Sequence, residues 1–130
     1  MSESKEHIKL VQKIAEYAKS KGYILKCAKS IGLDECPATN EGHVPDLKAY
    51  NHTEEVWLYG EAKTADDIDN DHTREQINDF SGRTMTDNKK LVPFILAIPT
   101  GSKTTAQRVI TSMNLTENQR KSIQIQEYDV

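Results

Sequence analysis

The sequence predicts an α/β fold in which one mixed sheet is flanked by helices, and three observations carry that expectation. Residues 4–21 repeat their apolar side chains at helical spacing. LVPFILAIP, at 91–99, is a short run apolar enough for a central buried strand, and helical segments interleave with several other strand-like ones. The resulting order is α-β-β-β-α-β-α-β. A chain of 130 residues has the length of one domain, here 1–130, and is too short for two ordinary ones.

In the first helix Ile8, Val11, Ile14, Ala15 and Ala18 form the apolar stripe, and Gly22 ends it. YILKCAKS (23–30) is the first strand. IGLDECPATNEGH (31–43), with two glycines, a proline and polar residues, is a long loop or flap. VPDLKAY and EVWLYGEAK are then the two strands of a hairpin. Pro45 confines the first to an edge or a strand start, because proline cannot donate to a ladder. An acidic loop covers 64–71, and a helix begins at His72 or Thr73 and runs to about Arg83. After the central strand come a helix over 102–113 and an alternating last strand, SIQIQEY, over 122–128.

Composition narrows the function classes. With 36% hydrophobic and 28% charged residues the chain is globular rather than disordered. No run reaches the roughly 18 apolar residues of a membrane span, and MSESKEHIK lacks an apolar signal core, so a cytoplasmic protein is expected. Cys27 and Cys36, the only cysteines, have no metal-like spacing with His43 or His52 and are read as reduced thiols. The net charge of −3 does not advertise a nucleic-acid binder. The acids, however, concentrate in EAKTADDIDND, and Lys26, Lys29, Lys48, Arg83, Lys89, Lys90, Lys103 and Arg108 can still form a local phosphate-facing surface.

The chemistry centres on 44–64. Alternation places Trp57, Tyr59, Glu61 and Lys63 on one face of the second hairpin strand, with Glu61 and Lys63 about 6.6 Å apart at ~3.3 Å per residue. Asp46, Lys48 and Tyr50 share a face of the first. A four-residue turn over HTEE sets Tyr50 opposite Trp57 and Asp46 opposite Glu61. Two opposed carboxylates repel unless something sits between them. A divalent cation removes that cost, and Mg²⁺ needs few carboxylates because it keeps waters and takes phosphate oxygens. Lys63 beside them can act on an attacking water or on developing charge. The same three residues also fit a salt-bridged polar face of a solvated sheet.

Pro45-Asp46 followed, after fourteen intervening residues, by Glu61-Ala62-Lys63 resembles the PD-(D/E)xK nuclease signature. That superfamily includes restriction endonucleases and Holliday-junction resolvases. Its core, αβββαβ, matches the order read above over about residues 4–99, with the last helix and strand appended. The resemblance implies a restriction-endonuclease-like fold and a Mg²⁺-dependent nuclease, with Mn²⁺ able to substitute and DNA favoured over RNA. It adds the carbonyl of Ala62 as a third metal ligand beside Asp46 and Glu61. Gln76 and Phe80 resemble a Q-x-x-x-Y element, which gives Gln76 a role in orienting Lys63 or the water. Many members add an acid from the first helix. Glu16 falls on the polar face here, Glu6 at the stripe's edge and His7 on the stripe, so His7 and Glu16 are the contributors to weigh.

Two other motifs are set aside. DIDND lacks the glycine and the final glutamate of a calcium loop, and TGSKTT lacks the Gly-Lys pair of a phosphate-binding loop. The start of the 102–113 helix, with Lys103, remains a candidate phosphate grip, as does Lys48. The expectation is therefore a DNA-cutting metalloenzyme, with a homodimer as the way to address both strands of a duplex. The alternative is a catalytically silent nucleic-acid-binding or protein-docking module on the same fold.

Overall fold

The computed structural model describes residues 3–130. Helix α1, Lys5–Ser20, is opened by Ser4, whose hydroxyl accepts from the His7 N–H at 3.1 Å. It buries Leu10, Val11, Ile14, Ala15 and Ala18, the stripe read from the sequence with Leu10 added. Past it, Gly22 takes a left-handed φ of 89° and turns the chain into β1, Ile24–Cys27.

Strands β2, Leu47–Asn51, and β3, Val56–Ala62, form the expected hairpin. Asn51 Oδ1 accepts from the N–H groups of Thr53 and Glu54, which fixes a four-residue turn, and Tyr50 pairs with Trp57. Helix α2, Asp71–Phe80, crosses to β4, Phe94–Pro99, which lies parallel to β3. Helix α2 ends earlier than expected because Gly82 adopts a φ of 77° and gives its N–H to Ser122.

Helix α3, Lys103–Ser112, and a further short helix, α4, Glu117–Ser122, lead to β5, Ile123–Tyr128, parallel to β4. The extra helix was not expected, although its start carries a capping box between Thr116 and Gln119 that the sequence displays.

The result is an α/β fold with a five-stranded mixed sheet in the order β1-β2-β3-β4-β5. On one face α1 packs on Leu47, Ala49, Leu58, Ala62, Ile95 and Ala97. On the other, α2 and α3 pack through Ile77, Phe80, Ala106 and Val109 on Phe94, Leu96 and Ile98. Burial of each leucine, isoleucine, valine or phenylalanine among them contributes about 1.5–3 kcal/mol. Contact with α1 also explains Gly60, since a Cβ there would stand 2.8 Å from Ile14 Cγ2. No helix among the described residues is long and apolar enough to cross a membrane.

One expectation is overturned. Cys27 and Cys36 are not free thiols; they form a disulfide, with Cα atoms 5.0 Å apart. A short 3₁₀ turn at Lys29–Ile31 and a left-handed Gly32 double the chain back, bringing together cysteines that spacing alone left as independent residues.

Candidate active site

The β2–β3 ladder stops at Leu47 and Gly60, one step short of Asp46 and Glu61. Beyond it, side chains take over from backbone. The Asp46 N–H donates to Glu61 Oε1 at 3.1 Å, and the Ala62 N–H donates to Asp46 Oδ2 at 2.8 Å. Pro45, with no N–H, ends the strand pairing and leaves room for this exchange. Each carboxylate is thus locked by one oxygen, leaving Asp46 Oδ1 and Glu61 Oε2 for other partners. The Ala62 carbonyl shares this edge of β3, because N–H and C=O of a strand residue point to the same side.

Lys63 Nζ lies 3.5 Å from Glu61 Oε2, and both side chains are largely buried. Burial, and then the nearby negative charge of Asp46, push the Glu61 carboxyl well above its ordinary pKa, with Lys63 only partly compensating. The repulsion expected from two facing carboxylates is therefore present in the fold.

From α1, His7 Nε2 reaches to 3.4 Å from Asp46 Oδ1, an ion-pair distance without hydrogen-bond geometry. The Asp46 carboxylate raises the His7 pKa above its usual value, against the opposing effect of burial. Glu3 lies 3.8 Å from the same nitrogen, so Glu3, His7 and Asp46 offer ligand atoms within 4.8 Å of one another. Sequence reasoning found His7 but missed Glu3, whose signal was its place one turn before His7.

The remaining candidates divide. Gln76 is buried on α2 rather than solvated, and its Oε1 has no hydrogen-bond partner among the described residues; it does not bond Lys63. Glu16 is corrected out of the site: it is exposed and, among the described residues, pairs only with Lys13, at 3.8 Å. The reason is the helical period, which places it opposite the face that carries His7. Lys103 is corrected too. The N–H groups of Gly101 and Lys103 already donate to Glu127 Oε2, at 2.8 and 3.2 Å, so a side chain holds the place assigned to a phosphate. Lys48 lies on the sheet, its Nζ 4.5 Å from the Trp57 ring centre.

A second polar cluster was missed altogether. The Asp79 carboxylate, on α2, accepts from Thr39 and Arg83 and contacts His43 Nδ1 at 2.7 Å. Burial opposes its ionisation, yet these partners hold its pKa below the ordinary range. It braces the 28–45 loop against α2.

The first cluster suits a hard divalent cation. Asp46 and Glu61 offer carboxylate oxygens, each oriented through its other oxygen, His7 adds a nitrogen beside Asp46, and an under-compensated buried carboxylate gains from positive charge. Comparison with protein-family models, with curated proteins and with solved structures finds no match to this chain.

Proposed function

We propose that this chain is a divalent-metal-dependent nuclease that hydrolyses phosphodiester bonds, with DNA the favoured substrate. The observation that carries the reading is the buried Glu61, linked to Asp46 through backbone donors and left, among the described residues, with Lys63 as its one paired cation. Asp46 and Glu61 would hold Mg²⁺ or Mn²⁺, with the Ala62 carbonyl on the same edge. When bound, such a cation lowers the pKa of water and neutralises charge building on phosphate.

The chain's own residues do the rest. Backbone N–H groups fix the two carboxylates in place before substrate arrives, so no reorganisation is needed at the moment of reaction. The Lys63 ammonium, restrained by Glu61 and sheltered from solvent, can donate to the attacking oxygen or to the developing phosphorane charge. Gln76, buried with a free acceptor, can hold a water proton. His7 keeps Asp46 oriented from the α1 side.

The alternative, a silent binding module, is favoured by the fact that Asp46 and Glu61 already have hydrogen-bond partners within the protein. Cleavage of supercoiled, linear and single-stranded DNA with Mg²⁺ or Mn²⁺ decides between them. Metal-dependent cutting lost in Asp46→Ala and Lys63→Ala upholds the nuclease. Cutting by Lys63→Ala at the wild-type rate removes this mechanism, and no cutting together with no calorimetric Mn²⁺ binding leaves the module.

A further inference from the structure

Helix α1 packs along β1 to β4 on one face of the sheet, but on the other face α2 and α3 gather over β4 and β5. That leaves Lys48, Tyr50, Trp57 and Tyr59 of β2 and β3 in a half-buried strip, at whose edge Tyr59 packs on Phe80 of α2. The 28–45 loop borders it on one side. On the other stands a small hairpin over 83–92, closed by the Thr84–Leu91 bridge and tied to the β2–β3 turn by Asn88 Nδ2 donating to the Glu55 carbonyl at 2.8 Å.

Trp57 stands between two clefts in this strip. One, of about 420 Å³, lies between Trp57, Tyr59, Arg83 and the hairpin. The other, of about 290 Å³, lies between Trp57, Lys48, Lys26 and the disulfide-tethered loop. Cations accompany the rings. Lys48 Nζ is 4.5 Å from the Trp57 centroid and 5.1 Å from that of Tyr59, and the Arg83 guanidinium carbon is 5.5 Å from the Tyr59 centroid. Among the described residues Lys48 has no carboxylate within ion-pair distance, so its charge is available to an anion. The nearby acids stand on the rims: Asp34 and Glu35 on one loop, Asp87 on the hairpin, with Glu35 paired to Lys29 at 3.6 Å.

Trp57 and Glu61 share a face of β3, four residues or about 13 Å apart. The strip therefore points along β3 toward the carboxylate cluster, with the Tyr59 ring, packed on Phe80, between them. Rings that can stack on any base, set among cations that can take phosphates, are the equipment for single-stranded nucleic acid. A paired, stacked base has no use for an indole face. We propose that Trp57 is a stacking platform for an unpaired nucleobase, with Lys48 on the adjoining phosphate, so that the substrate is a single strand or a splayed end led toward Glu61 and Lys63. The proposal rests on the nuclease reading above and names the substrate class of that site.

Trp57 is the only tryptophan, so its emission reports the platform directly. Fluorescence is titrated with short oligothymidine and with a blunt duplex of equal length, in EDTA so that nothing is cut. Binding by the variants is read by anisotropy of a labelled strand, with circular dichroism to check folding. The expected result is quenching by the single strand and little by the duplex. Trp57→Ala should weaken single-strand binding by about 5- to 100-fold, and Trp57→Phe by less. If Trp57→Ala does not fold, wild-type quenching and weakened binding by Lys48→Ala carry the test. Metal-dependent cleavage of single strands without quenching, with Trp57→Ala cutting at the wild-type rate, overturns the platform and leaves the nuclease. Quenching by the single strand without any metal-dependent cleavage upholds the platform and overturns the nuclease.

Discussion

Glu61 and Asp79 are both buried carboxylates, 3% and 4% exposed, and their surroundings treat them in opposite ways. Asp79 is met by a hydroxyl, an imidazole and a guanidinium, which together outweigh its desolvation. Glu61 receives one backbone N–H and one lysine while facing the like charge of Asp46, and its proton affinity rises. A fold that compensates one buried acid so fully leaves the other under-compensated. Buried charge that serves structure is paired, whereas buried charge kept short of partners is costly unless a ligand supplies what is missing. That contrast makes the Asp46–Glu61–Lys63 cluster the candidate site and the Asp79 cluster a brace.

The largest test is catalytic. Lys63→Ala should lower metal-dependent cleavage by about 1,000-fold with binding of uncut DNA retained, measured as single-turnover rates beside filter binding. Asp79→Ala should do the reverse. It should cost about 3 kcal/mol of stability by denaturant unfolding, because it strands the groups that converge on that carboxylate, with the cleavage rate per folded molecule little changed. If Asp79→Ala loses activity at full stability, the division between brace and site collapses.

The disulfide sharpens the same comparison. Replacing Cys27 and Cys36 by serine opens a loop of sequence separation nine and should cost about 2.5 kcal/mol. Hydrogen exchange should then rise in the 28–45 loop that carries Thr39 and His43 to Asp79, and not in β3.

The smallest effect carries the sign. Between the unfolded pKa of Glu61 and its raised folded value, the folded state holds a proton that the unfolded chain has released. Stability of the metal-free protein therefore falls as pH rises through that window, and the penalty is complete above it. Glu61→Gln should stabilise the metal-free protein by about 1 kcal/mol at neutral pH, with the gain vanishing as pH falls below the window. Thermal unfolding across pH reads this. Mg²⁺ should raise the wild-type midpoint and leave that of Glu61→Gln unmoved. An equal Mg²⁺ response in both proteins would place the cation elsewhere.

The strands, helices α1 to α3 and one register follow from local sequence. Apolar periodicity marked α1 and the buried strand β4, and the four-residue turn between Asn51 and Val56 set Tyr50 against Trp57, a register that carries Asp46 to Glu61 one pair beyond the last ladder partners, Leu47 and Gly60. These are local facts, governed by spacing within one element or across one short turn. The capping box of α4 is equally local, yet that helix was not among the expected elements. Tertiary structure decided what depends on segments meeting from far apart: that His7 reaches Asp46, that Glu127 occupies the start of α3, and that Cys27 finds Cys36. It also decided the opposite fates of Glu61 and Asp79. The proton affinity of a buried acid depends on how many donors the rest of the fold brings to it, and no stretch of sequence contains that number.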